Sequence, residues 1–461
     1  MPIIDRRTFI ATGAACAAGL LSRGVGAATA APLWARPRPS ASQLLWQRDE
    51  LALFLHFGVN TFTDREWGDG TELPSIFAPT RLDARQWARV AKSGGCRALI
   101  LTAKHHDGFC LWPTETTRHS VASSPFRDGQ GDVVREFVDA CRAEGLRAGL
   151  YLSPWDRNHP TYGDSPRYND VYAAQLTELL TRYGPLHEVW FDGANGEGPN
   201  GKRQVYDWPR VWALVRRHQP AAVMFSDAGP DVRWCGNERG IAGDPNWSAM
   251  DPAAVPHPGA DGAHIISALQ HGDPNGTVWR PAEADTSIRP GWFYHPAEDE
   301  RVRPVDNLVE LYAQSVGRNS KLLLNVPPTR AGLIHDTDAA NLAGMRSRLE
   351  AVYGRDLADG APRQWRPATG RPATLELDFR SPLTFDTTRL AENIATGQRV
   401  ASYTIRALDA SGWRILWRGT TIGYAKIDRF PPTTARRVQV TIDEAVESPE
   451  SIDLTLHMAS D

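Results

Sequence analysis

Between Leu51 and Val352 short apolar runs alternate with amphipathic ones, and this alternation restricts the chain to a parallel α/β architecture. Leu51 to Val59 is an apolar run. Leu82 to Ala91 has helical spacing and ends at Gly94-Gly95, and Ala98-Leu99-Ile100-Leu101 reads as a strand. Asp132 caps a helix whose Val133, Val134, Phe137, Val138 and Cys141 share a face, and Gly145 closes it. The pattern continues with a strand at Leu146–Leu152, a helix at Val171–Tyr183, a strand ending Val189-Trp190-Phe191-Asp192, a helix after Asp207 and a strand at Ala221–Phe225. A strand near Thr277–Ala282, a helix at Leu308–Val316, the apolar Leu322-Leu323-Leu324 and a helix at Asn341–Val352 complete it. Roughly 300 residues of this kind fit an α/β, (β/α)8-like (TIM) barrel. Only a short turn through Gly229-Pro230 separates the strand at Phe225 from the extended Asp231–Cys235, so no crossover helix fits and the barrel is irregular in its second half.

Beyond residue 356 the texture changes to short alternating runs separated by turn residues, among them Ser402-Tyr403-Thr404-Ile405 and Val438-Gln439-Val440-Thr441-Ile442. This predicts an antiparallel β-sandwich over 356–461. The barrel is expected over 47–355, and 31–46, rich in Pro, Arg, Ser and Ala, as a linker. Asp5-Arg6-Arg7-Thr8-Phe9-Ile10 has the twin-arginine pattern, followed by an Ala/Gly/Leu core and Ala28-Thr29-Ala30 before Ala31. Residues 1–30 therefore read as a Tat signal peptide, directing a folded protein to a bacterial periplasm or beyond. The apolar core is short for a membrane span, so no stable membrane association is expected after cleavage. The net charge of −3 offers no electrostatic case for nucleic acid. Cys96, Cys110, Cys141 and Cys235 are scattered without a C-x-x-C pair, which excludes the usual zinc pattern and leaves pairing open.

Polar residues collect where the predicted barrel strands end, at the face where such barrels carry chemistry. The ends read Leu55-His56-Phe57-Gly58, Lys104-His105-His106-Asp107-Gly108, Tyr151 with Pro154-Trp155-Asp156, Trp190-Phe191-Asp192, Trp234-Cys235-Gly236-Asn237-Glu238, and Glu283 with Asp285. A metal centre built on His56, His105 and His106 is disfavoured, because adjacent histidines in an extended chain point apart and no H-x-H is present. Nucleophilic serine chemistry lacks its G-x-S-x-G. A pair of carboxylates flanking a glycosidic bond remains, and the 16 tryptophans supply faces on which sugars stack, although core burial is the commoner fate of a tryptophan.

The set Phe54-Leu55-His56-Phe57-Gly58, Glu66-Trp67-Gly68-Asp69-Gly70, Lys104-His105-His106-Asp107-Gly108-Phe109 and Trp190-Phe191-Asp192-Gly193-Ala194 resembles glycoside hydrolase family 29, the α-L-fucosidases. Val232-Arg233-Trp234-Cys235-Gly236-Asn237-Glu238, Ser287-Ile288-Arg289-Pro290-Gly291-Trp292-Phe293 and Ser315-Val316-Gly317-Arg318-Asn319, followed by Leu322 to Pro328, sharpen the resemblance to the branch acting on α-1,3/1,4-linked fucose. Cys235 stands where that branch usually has a small aliphatic residue.

The resemblance implies a retaining double displacement on a fucosylated oligosaccharide or glycoconjugate, with no cofactor. Asp192 matches the nucleophile and Glu238 the acid/base, whose pKa must then be raised by burial or by Asp192. His56, His105 and His106 match hydroxyl ligands, and Tyr151 and Trp190 line the sugar. Glu66, Trp67 and Trp292 match pocket positions. Glu283 is a rival acid/base or an aglycone ligand. Two other readings stay open. One is a carbohydrate-binding protein on a degenerate barrel, and the other is a retaining glycosidase for a related glycon.

Overall fold

The computed structural model describes residues 36–369 and 371–459; the expected signal peptide lies outside the described residues. Eight parallel strands form one sheet: β1 Leu51–Leu55, β2 Ala98–Lys104, β3 Arg147–Leu152, β4 Glu188–Trp190, β5 Val223–Phe225, β6 Arg233–Trp234, β7 Ala282–Ser287 and β8 Ser320–Asn325. Their order is β5-β4-β3-β2-β1-β8-β7-β6, and a parallel bridge between Phe225 and Val232 joins the two edges. The result is a near-closed (β/α)8-like barrel. As the missing crossover requires, β5 passes to β6 through a turn at Ser226–Pro230 rather than through a helix.

Every residue of β1, β2 and β8 is buried, as expected of strands covered on both faces. Period-2 alternation divides them into two cores. Ala52, Phe54, Ala98, Ile100, Tyr151, Trp190, Val223, Phe225, Val232 and Leu323 fill the barrel interior. Leu51, Leu53, Leu55, Leu99 and Leu101 point outward. They meet the surrounding helices, among them Ala84–Ser93, Val133–Glu144, Ser165–Arg182, Trp208–His218, Val305–Ser315 and Asp336–Tyr353.

The expected linker ends sooner than its composition suggests. Ala41–Arg48 is a helix, α1, whose N-cap Ser40 makes a reciprocal capping box with Gln43. It drives Trp46, fully buried, into the floor of the barrel interior. There Lys321 lies 4.6 Å over the indole and 3.0 Å from Glu188. The segment expected as one strand at Thr277–Ala282 is two. Val278–Trp279 pairs with Ala249–Met250 in an antiparallel ribbon, and β7 begins at Ala282. Pro281, which has no N–H for a ladder, separates them.

Six antiparallel strands follow: β9 Arg363–Arg366, β10 Thr374–Glu392, β11 Val400–Asp409, β12 Gly412–Gly419, β13 Lys426–Ala445 and β14 Ile452–His457. The long β10 and β13 pair along most of their length, with register shifts that let the sheet bend into a sandwich with its own core. This layer packs on the barrel. Tyr424 donates its hydroxyl to the Ser320 carbonyl, Asn319 accepts from the Tyr424 N–H, and Lys426 pairs with Asp244 at 2.7 Å. Trp413 and Trp417 stand partly exposed on the edge strand β12, whereas Tyr424 belongs to this seam. Cys96, Cys110, Cys141 and Cys235 are free thiols and all are buried.

Candidate active site

A cavity of about 660 Å³ opens at the C-terminal ends of the strands. Of the eleven residues singled out from the sequence it is lined by ten: His56, Glu66, Trp67, His105, His106, Tyr151, Trp190, Asp192, Glu238 and Trp292. Glu283 is the correction. It is fully buried and lies below the cavity, where its carboxylate accepts the Trp190 indole N–H at 3.0 Å and lies 3.6 Å from Lys321. The reason is the strand period: Glu283 and Asp285 share one face of β7, and the residue one pleat higher, Asp285, reaches the cavity.

Asp192 lies two residues beyond β4, whose ladder is carried past Trp190 by the Phe191 N–H to the Phe225 carbonyl. One carboxylate oxygen accepts the Ala194 N–H at 2.7 Å, the ordinary turn contact of an Asp before Gly. The other accepts the Tyr151 hydroxyl at 3.0 Å and lies 3.9 Å from His106 Nε2. The turn therefore orients the carboxylate without hiding it, since its side chain keeps 28% exposure. Gly193 is needed here: a Cβ would meet Asp227 Oδ2 at 2.2 Å and the Gly259 nitrogen at 2.6 Å.

Glu238 is carried on an irregular segment that β7 holds in place. The Cys235 N–H donates to Glu283 O, the Gly240 N–H to Asp285 O, and the Trp234 indole to Asp285 Oδ1 at 2.7 Å. Asn237 braces the turn by donating to Ile241 O at 2.8 Å. Glu238 keeps surface exposure as a residue and turns its carboxyl to the wall of the cavity. Loss of water raises its pKa; the Trp292 hydrogen bond opposes this, and the charges of Asp192 and Glu66 raise it further. Burial and then the neighbouring Glu238 charge push Asp285 well above the carboxylate range, so it stands as a neutral acid.

The three histidines are neutral. Burial lowers His56 to about 3 and lowers His105 and His106 as well. Asn325 fixes the His56 tautomer. Its amide nitrogen donates to Ser287 Oγ and the Trp292 carbonyl, so its oxygen accepts from His56 Nδ1 at 2.8 Å. His56 Nε2 is left as a lone pair. His106 Nδ1 lies 2.7 Å from Ser153 Oγ. Contrary to the extended-chain expectation, His105 and His106 do not point apart. They follow the last residue of β2, and their rings lie 4.0 Å from one another, both on the cavity wall.

Asp285, noted at its strand end but given no role, also lines the cavity, as do Phe54, Ala194, Pro290, Gly291, His295, Glu298 and Arg301. Phe54 had a signal, since it lies two residues before His56, and its ring lies 4.5 Å from that imidazole. The rim residues at 295–301 come from a turn with no strand-end mark. The apolar wall is ordered by ring packing: Trp190 stacks on Phe225 at 4.0 Å and lies 5.2 Å from both Phe54 and Tyr151.

Carboxyl groups, neutral imidazoles and indole faces around one cavity suit a sugar ring with hydroxyls on one side and apolar carbons on the other. The α-L-fucosidase family model matches residues 45–352, the whole barrel. The chain belongs to the α-L-fucosidase family. It is a glycoside hydrolase. It is 42% identical over 452 residues to alpha-L-fucosidase 1 of Arabidopsis thaliana, which covers 92% of this chain and 88% of that protein. A glycoside hydrolase 29 family member from an unknown rumen bacterium superposes with a TM-score of 0.85 and 40% identity, over 93% of this chain and 78% of the other. A Ruminococcus gnavus GH29 fucosidase, solved in complex with fucose, gives 0.83 and 29%, over 94% and 97%. The α-L-fucosidase family thus accounts for both layers of the fold.

Proposed function

We propose that this α-L-fucosidase acts by retention on terminal α-1,3- and α-1,4-linked fucose, with Asp192 as nucleophile and Glu238 as acid/base. The observation that carries the reading is the unequal environment of two carboxyls on one cavity. Asp192 is oriented by the Tyr151 hydroxyl and the Ala194 N–H, while loss of water raises the pKa of Glu238. An Asp192 oxygen attacks the anomeric carbon as Glu238 protonates the departing glycosidic oxygen. This forms a fucosyl ester and releases the aglycone. Glu238, now ionised, takes a proton from water, which attacks the same carbon and frees Asp192. His56 Nε2 accepts a sugar hydroxyl, and Trp190 offers its face to the C6 methyl. The linkage preference rests on the stretches around Glu238 and Trp292, and the cavity is larger than one deoxyhexose needs.

The test is a panel of α-1,2-, α-1,3-, α-1,4- and α-1,6-fucosylated oligosaccharides with the first-formed anomer followed by NMR. Fast release from α-1,3 and α-1,4 linkages with α-fucose appearing first is expected. β-Fucose first would end the retaining mechanism, and equal rates across linkages would end the preference. We further propose Tat-dependent export, supported by Arg6-Arg7 and the Ala28-Thr29-Ala30 site. Retention of a reporter fused to residues 1–35 in the cytoplasm of a Tat-competent host would refute it.

A further inference from the structure

His295 stands between two loops that face each other across the cavity rim. Its Nδ1 lies 3.0 Å from Asp64 Oδ1 and its Nε2 lies 3.0 Å from Glu66 Oε2. Both partners are carboxylate oxygens, which only accept when ionised, so both ring nitrogens carry hydrogen and the ring is an imidazolium. Glu66 in turn holds the opposite loop by its backbone. One oxygen accepts the Trp292 N–H and the other the Phe293 N–H at 3.3 Å. The fit is close, because a Cβ on Gly291 would meet Glu66 Oε2 at 2.7 Å and His295 Cδ2 at 3.0 Å. Trp292 then reaches Glu238 through its side chain. A chain of contacts thus runs from Asp64 through His295, Glu66 and Trp292 to Glu238.

From this geometry we infer that His295 is a positioning residue, a cationic pin that locks the Trp292 loop against the Glu66 loop and so fixes the orientation of Glu238. The inference rests on the acid/base role proposed for Glu238. The charged groups around the ring agree with it. Asp64 and Glu66 flank it, Glu298 adds a third negative charge, and Arg330, 3.5 Å from Asp64, partly offsets them. Partial burial works against the charged ring, but the two carboxylate hydrogen bonds prevail, and the His295 pKa is raised above 6.5. The pin therefore holds below that raised value. As pH rises through it, one ring nitrogen becomes a lone pair facing a carboxylate, and the two loops part.

The test compares a fucosylated oligosaccharide, whose leaving group needs the proton that Glu238 supplies, with an activated aryl α-L-fucoside, whose leaving group needs little. The pH profile of kcat/KM is measured for the full chain and for His295→Gln and Asp64→Asn. On the oligosaccharide, wild type should lose activity through an ionisation above 6.5 that coincides with the ring titration of His295. His295→Gln should lack that limb and run about tenfold slower at pH 6 on the oligosaccharide, with little change on the aryl fucoside, as expected of a misplaced acid. Asp64→Asn keeps an acceptor but removes a charge, so it should move the limb to lower pH. A ring-proton NMR titration, with the His295 signal identified by its loss in His295→Gln, reads the pin without turnover. A His295→Gln profile with the wild-type limb, or a ring that titrates at or below 6.5, overturns the inference. Failure of the wild type to cleave any α-L-fucoside counts against the fucosidase reading instead, and the NMR titration then decides the pin alone.

Discussion

At the scale of single residues, the two carboxyls differ in what their loss should do. Asp192→Ala removes the attacking oxygen, and kcat should fall by at least about a thousandfold, as for other nucleophile deletions. Glu238→Ala should keep more activity on an activated aryl fucoside than on an oligosaccharide, and added azide should raise it and yield a fucosyl azide detectable by mass spectrometry. The buried histidines make a prediction about stability. His56, His105 and His106 have lowered pKa values in the fold, so below about 6.5 the unfolded chain binds more protons, and for His56 this holds down to about 3. Their contribution is complete above the unfolded value and is lost on acidification. The melting temperature should therefore drop as pH falls below about 6.5, and less steeply in His56→Gln. Much of this layer was legible in the chain. His56, Asp192 and Glu238 each end an extended run, and a strand end on a barrel is a place for chemistry. What could not be read was the burial that keeps the imidazoles neutral, or the partners of the His56 and His106 rings, Asn325 and Ser153, residues far away in sequence.

Between neighbouring elements the informative error is Glu283. Both Glu283 and Asp285 were visible at the end of β7, but a period of two says only that they share a face. Which one reaches the cavity depends on where the strand begins, and Pro281 starts it later than its apolar flank suggests. One pleat lower, Glu283 becomes the anchor of Trp190. Glu283→Gln keeps an acceptor for the indole N–H and should leave kcat/KM within about threefold. Glu283→Ala leaves that N–H unpaired in the interior, at a cost of about 1–3 kcal/mol, and should raise KM for fucosides through a displaced Trp190. Full loss of turnover in Glu283→Gln, rescued by azide, would restore it as the acid. α1 shows a similar limit. Its composition resembles a linker, and only Trp46 meeting Lys321 and Glu188 under the barrel makes it an element.

For the molecule as a whole, the C-terminal layer behaves as a buttress. Arg389 reaches Glu50 just before β1, Tyr424 covers Ser320 at the start of β8, and Lys426 ties down Asp244. These contacts lie at the end of the barrel away from the cavity or behind the ribbon. A chain ending at residue 355 should thus lose folded yield and protease resistance rather than substrate preference. A truncated barrel that melts within a few degrees of the full chain would show that the buttress is dispensable. The alternation of barrel runs and the later change of texture made both layers readable, but the seam between them was not, because single polar contacts carry no periodicity.

The strand order has a further consequence in time. β1 lies between β2 and β8, and Leu51 pairs with Leu322. A ribosome adding roughly 5–20 residues per second leaves the first strand without one of its two neighbours for tens of seconds. During that interval Ala52 and Phe54 have only a half-built interior to enter. The barrel is thus assembled by its last strand, and an apolar edge is open to chaperones, or to a second nascent chain, until β8 emerges.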